Sequence, residues 1–180
     1  MRKNFTAEQI IGVGSALVDL LFATGMRVGE ASTLNVHGFT ASESVFKIRE
    51  KGGRDRLAYL VDEQTVRIQV KHFEARSQIV TSSSSLFLNS HGERLSTQSM
   101  ANIIGKCRRA AGINRHITPH MLRHTVATLL LRNGMDIRVV QEFLGHASIA
   151  TTQRYTHIVM EHLVGELRKR HPSLSLRVPA

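Results

Sequence analysis

The sequence predicts a mainly α fold carrying one small antiparallel β-sheet, the α+β class. Three observations lead there. Apolar residues recur at helical spacing in most of the chain, between recognisable start and stop signals. A single pair of alternating segments flanks a Gly-Gly turn. The chain has 180 residues, 42% of them hydrophobic, enough to bury the core of one domain.

Thr6 followed by Gln9 reads as a capping box. Ile10, Val13, Leu17, Leu20 and Leu21 then give a helical stripe, which Gly25 interrupts. A second short helix is expected from near Arg27 to before Asn35. Residues 45–50 and 56–60 alternate around Lys51-Gly52-Gly53-Arg54-Asp55, which predicts a β-hairpin. Val66, Val70 and Phe73 mark another helix. Thr81 and the four serines after it read as a mobile polar loop, and Leu86-Phe87-Leu88 as a short strand.

Residues 97–111 form an amphipathic helix pattern that includes Cys107, the lone cysteine. A single thiol rules out an internal disulfide framework, and this one reads as a buried structural residue. Thr118-Pro119 is a strong helix start, with Thr as N-cap and Pro in the first turn. Leu122, Val126, Leu129 and Leu130 supply the core face and Gly134 the stop. Asp136 to Leu144 is a short helix ended by Gly145, Ser148 caps another towards Tyr155, and a last amphipathic helix covers about 158–170. There is no internal repeat, signal peptide or membrane-spanning apolar run, so a reducing, cytoplasmic setting is expected.

Charge is unevenly spread. The net charge is +10 overall, but residues 101–180 hold 12 basic and 4 acidic side chains and seven of the ten histidines. A basic half of this kind points to a polyanionic partner, most simply nucleic acid.

Four short pieces carry the chemistry: Gly25-Met26-Arg27-Val28-Gly29-Glu30, His120-Met121-Leu122-Arg123-His124, Leu144-Gly145-His146 and Tyr155-Thr156-His157. Arginines, histidines and a tyrosine suit phosphoryl transfer at a DNA phosphodiester. Its transition state gathers negative charge on the non-bridging oxygens, and guanidinium groups grip such oxygens bidentately without losing their charge. His120 and Arg123 share a helix face near an N-terminus that favours phosphate. A tyrosine oxygen can attack phosphorus and conserve the bond energy in a covalent intermediate. No phosphate-binding loop for ATP occurs in the sequence. His116, His120 and His124 recur every fourth residue, but His116 precedes the helix start, and no metal site is expected. His124 reads as structural beside His120.

These residues resemble the tyrosine recombinase family, the phage-integrase or Xer-like site-specific recombinases. The likeness is densest over 117–157, in Thr-Pro-His-Met-Leu-Arg-His-Thr and Leu-Gly-His-Ala-Ser-Ile-Ala-Thr-Thr-Gln-Arg-Tyr-Thr-His. The resemblance implies the catalytic-domain fold of that family. It also implies a site of Arg27, Lys51, His120, Arg123, His146 and Tyr155. Tyr155 would be the nucleophile and form a 3′-phosphotyrosyl link. Arg27, Arg123 and His146 would stabilise the phosphorane. His120 would assist proton transfer at the nucleophile, and Lys51 would protonate the leaving 5′ oxygen, with Arg54 and Arg56 as alternative phosphate contacts. Glu30 matches an acidic position that orients the arginine.

The resemblance further implies double-stranded DNA as partner, other recombinase subunits in a DNA-dependent tetramer docked through the helix at 158–170, and no cofactor or metal. It begins almost at Met1, so the expectation is a single catalytic domain over 1–180, without the N-terminal core-binding domain that family members usually carry. A non-catalytic DNA-binding module and a type IB topoisomerase are the competing functions. The first would not need the full residue set, and the second would relax a plasmid that lacks a target site.

Overall fold

The computed structural model describes residues 7–49, 55–145 and 157–175. Seven α-helices are described: α1 Ala7–Thr24, α2 Val28–Thr33, α3 Glu63–Ser77, α4 Thr97–Ala110, α5 Pro119–Arg132, α6 Ile137–Leu144 and α7 His157–Arg170. The strands β1 Phe39–Thr40, β2 Val45–Arg49 and β3 Asp55–Tyr59 form an antiparallel sheet in the order β1-β2-β3. The α+β class read from the sequence is the one observed.

Helix ends follow the local chemistry. Asp62, Ser96, Thr118 and Asp136 each accept a hydrogen bond from a backbone N–H of the first turn of α3, α4, α5 and α6, satisfying donors that the helix itself leaves open. Gly25 stops α1 at φ +57° and Gly145 stops α6 at φ +65°, a left-handed conformation that costs a side-chain-bearing residue energy.

Two apolar clusters result. The first joins Leu17, Leu20 and Leu21 of α1, Phe46 and Ile48 of β2, Leu86 and Phe87, and Met100 and Ile104 of α4. The second joins Val126 and Leu130 of α5, Val140, Phe143 and Leu144 of α6, and Leu163 and Leu167 of α7. Leu163 and Leu167 of α7 therefore pack into the core of their own chain. Cys107 is half-buried against Gly14 of α1, where an added methyl would lie 2.9 Å from its Sγ. Burial pushes its thiol pKa up, away from nucleophilic use.

The structure corrects three readings and shows which face of one expected helix is buried. The serine run is tethered: Ser85 is buried, and the Arg76 guanidinium donates to the carbonyls of Ser85 and Ser83. Leu86–Leu88 is not a regular strand but a buried segment held by two isolated bridges, Asn35 to Ser85 and Leu88 to Arg94. In α3 the fully buried face is Thr65, Gln69, His72 and Arg76, with Val66 and Phe73 only partly covered. The donors on that face have partners, whereas Gln69 Oε1 is buried without one among the described residues. Thr65 and Gln69 donate to Asp19, Gln69 also to the Ala16 carbonyl, and His72 lies 3.3 Å from the Leu86 oxygen. Finally, His124 is exposed rather than packed. The Gly-Gly turn and the helix capped by Ser148 lie outside the described residues.

Candidate active site

Arg27 stands where α1 hands over to α2. Gly25 turns the chain, and Arg27 precedes the first residue of α2 with an extended backbone (φ −72°, ψ 147°). Glu30, one turn on, reaches back. Its Oε2 accepts from the Arg27 backbone N–H at 2.9 Å, and its Oε1 accepts from Arg27 Nη1 at 2.9 Å. The side chain of Arg27 remains exposed to solvent.

A third arm comes from the sheet. Arg56 of β3 donates from Nη2 to Glu30 Oε2 at 2.8 Å. Burial alone would raise the Glu30 carboxyl, but the Arg56 guanidinium and the hydrogen bonds from Arg27 and Arg56 outweigh it and hold its pKa below the usual carboxylate value. Glu30 is thus a charged bridge between two cations, and it fixes both.

Arg123 enters from the other side. Thr118 and Pro119 start α5, which places Arg123, its fifth residue, on the buried face while His120, three residues earlier, stays exposed. The Arg123 guanidinium donates from Nη1 to the Gly25 carbonyl at 2.6 Å and from Nη2 to the Leu144 carbonyl at 2.8 Å. One side chain therefore ties the turn that carries Arg27 to the end of α6, immediately before Gly145 and His146. Gly25 fits this junction because it has no Cβ: an added one would lie 2.5 Å from Leu144 Cδ2 and 3.4 Å from Phe143 Cε1.

Of the seven residues expected at the site, the structure places Arg27, Glu30, His120 and Arg123. It brings the Arg123 guanidinium to within two residues of Arg27 along the chain. Lys51, His146 and Tyr155 lie outside the described residues. Those around them are clear: β2 and β3 run up to 50–54 with Arg49 paired to Asp55, and α6 and α7 bracket 146–156. Sequence reasoning missed the partnership of Arg56 with Glu30. Its signal was present in the alternation of β3, where Arg56 shares the inward face with buried Ala58 and Leu60 while Asp55 and Leu57 point outward.

The phage integrase family model matches residues 10–162. The chain belongs to the phage integrase family. Within it, the chain is 36% identical over 168 residues to a tyrosine recombinase XerC of Pelobacter propionicus, covering 93% of this chain and 55% of that protein. It is 40% identical over 160 residues to a tyrosine recombinase XerD of Oceanobacillus iheyensis, covering 87% and 54%. The chain thus spans about half the length of the curated relatives it matches. Among solved structures, the XerA recombinase superposes with a TM-score of 0.69 at 32% identity, over 93% of this chain and 65% of that one. The XerH site-specific recombinase bound to its difH substrate, in a pre-cleavage complex, gives 0.69 at 27% identity, over 88% and 47%. The helical architecture with its three-stranded sheet is the tyrosine recombinase catalytic-domain fold of these integrase-family structures.

Proposed function

We propose that the chain is the catalytic domain of a site-specific DNA recombinase that cleaves and rejoins DNA through a 3′-phosphotyrosine intermediate. The observation that carries this reading is the Arg123 junction. A buried guanidinium joins the turn of Arg27 to the residue two before His146, the convergence that three phosphate-binding groups from distant segments require. Family membership and the XerC and XerD relatives support it.

The chemistry follows from the residue types. The Tyr155 oxygen attacks phosphorus. Arg27, Arg123 and His146 neutralise the charge that gathers on the non-bridging oxygens. Groups aimed at developing charge contribute most because they need no reorganisation during the reaction, commonly about 3–4 kcal/mol each. His120 accepts the phenolic proton, and Lys51 protonates the departing 5′ oxygen. The free 5′-hydroxyl of a second strand then reverses the attack, so rejoining needs neither ATP nor a metal ion.

Double-stranded DNA is the partner, and the net charge of +8 in residues 101–180 supplies long-range attraction to its phosphates. Other recombinase subunits complete a DNA-bound tetramer through the segment around α7. The described helices include none long and apolar enough to cross a membrane, and the proposed place of action is the cytoplasm.

A duplex nicked next to the cleavage point tests the reading, because the short 5′ fragment diffuses away and traps the covalent complex. Wild type should yield a protein–DNA adduct on a cognate site, and Tyr155→Phe should yield none while still binding DNA. Adduct from Tyr155→Phe, or none from wild type on any cognate site, would refute the mechanism.

A further inference from the structure

We infer that Arg56 is a positioning residue that locks the β2–β3 hairpin to Arg27 through Glu30, and so sets Lys51 in register with the phosphate-binding arginine. The inference rests on the proposed reading of Lys51 as proton donor to the leaving oxygen.

The geometry is direct. Glu30 Oε2 accepts from both the Arg27 backbone and Arg56 Nη2, while Oε1 takes Arg27 Nη1. The Glu30 and Arg56 side chains are only 10% and 14% exposed, so the pair is shielded and water competes weakly for it. Arg56 sits opposite Ile48 in the β2–β3 ladder, one step from the last pair, Arg49 with Asp55. Residues 50–54, Lys51 among them, therefore join two strands whose last pair lies one residue from this anchor. On the exposed side of the same hairpin, Lys47 Nζ pairs with Asp55 Oδ2 at 2.9 Å. That contact stiffens the hairpin but ties it to nothing else. Arg56 is the described side chain of the hairpin that reaches α2 by an ion pair. A direct phosphate contact by Arg56 fits less well, because its guanidinium is mostly buried and turned to a carboxylate.

Such a tether acts on one half of the reaction. When Tyr155 Oη bonds to phosphorus, the bond from phosphorus to the 5′ oxygen breaks and that oxygen takes a proton from Lys51. If sulfur replaces the 5′ bridging oxygen, the thiolate leaves without needing a proton, and misplacing Lys51 no longer matters.

The experiment compares both substrates. With an ordinary duplex, Arg56→Gln should slow cleavage about 10- to 100-fold, the scale of a small misplacement of a catalytic group. With the 5′-bridging phosphorothiolate duplex it should recover most of the wild-type rate, as should Lys51→Ala. Arg56→Lys keeps the charge but loses the fork and should show a smaller loss with the same recovery. Thermal melts report folding, and if Arg56→Gln does not fold, Arg56→Lys carries the comparison. A loss that persists on the phosphorothiolate, or wild-type cleavage of the ordinary duplex by both variants, would overturn the inference. If wild type forms no Tyr155-dependent adduct even on the phosphorothiolate, the recombinase reading fails and this one with it. A normal wild-type adduct with unaffected Arg56 variants removes this inference alone.

Discussion

Arg123 Nη1 donates to the carbonyl of Gly25 at 2.6 Å across 98 positions of sequence. The bond joins the glycine that turns the chain at the end of α1 to the cation on the buried face of α5. With the second bond to the Leu144 carbonyl at 2.8 Å, it makes Arg123 a structural keystone as well as the proposed phosphate ligand.

Replacing Arg123 should therefore cost twice. Arg123→Ala leaves two carbonyls without that donor, which should lower stability by about 1–3 kcal/mol in urea unfolding. It should also lower cleavage by on the order of 100-fold or more. Arg123→Lys should recover part of the stability and little of the cleavage, since an ammonium cannot span both carbonyls and a phosphate. Full cleavage by the Lys variant would show that the fork is unnecessary.

Gly25→Ala should be destabilising by about 1–3 kcal/mol, because φ is +57° and the new methyl would lie 2.5 Å from Leu144 Cδ2. The same clash pushes on the carbonyl that Arg123 holds, so adduct formation should fall further than the melting temperature alone explains. A variant as stable and active as wild type would contradict the packing described.

Stability should decline as pH falls from about 6.5 to about 4, because His72 and His171 are both buried and burial holds each pKa down to about 4. The unfolded chain takes up a proton near pH 6.5 while the folded chain stays neutral. The stabilisation is thus complete above that value and shrinks below it, by up to about 3 kcal/mol per histidine. His171 is held by edge contacts with Phe22 and Phe143 and by Ser173. His171→Gln should flatten the slope measured by unfolding between pH 7 and 4.5, and an unchanged slope would show that His171 is not buried neutral.

Chelators should leave adduct formation unchanged, since the proposed charge stabilisation comes from side chains. Raising salt should weaken DNA binding steeply, and equally for wild type and Tyr155→Phe. Inhibition by a chelator, restored by added metal, would reopen the histidine series around His120.

The fold and the site were legible to different depths. The stripe of Leu17, Leu20 and Leu21, the Thr118-Pro119 start and the Gly25 and Gly145 stops each follow from local rules, and the structure keeps them. What sequence reading mistook were places where polar groups are buried in pairs. Arg76 and the serine run, Gln69 and Asp19, and Arg56 and Glu30 each look solvent-facing alone. They become interior only because a partner distant in sequence satisfies them, and no periodicity records that. His124 shows the converse: adjacency to His120 said nothing about its own face of α5, which the fold leaves in water. The proposed site residues were read from pattern, whereas the carbonyls that seat Arg123 could not be, since any residue supplies a carbonyl.

The most direct test is a crystal structure of the protein on a nicked duplex with Tyr155→Phe in place, so that the phosphate is bound but uncut. The account predicts that the guanidiniums of Arg27 and Arg123 both lie within about 2.7–3.2 Å of non-bridging oxygens of one phosphate, next to residue 155. Guanidiniums on separate phosphates, or an Arg123 turned away from the DNA, would contradict it.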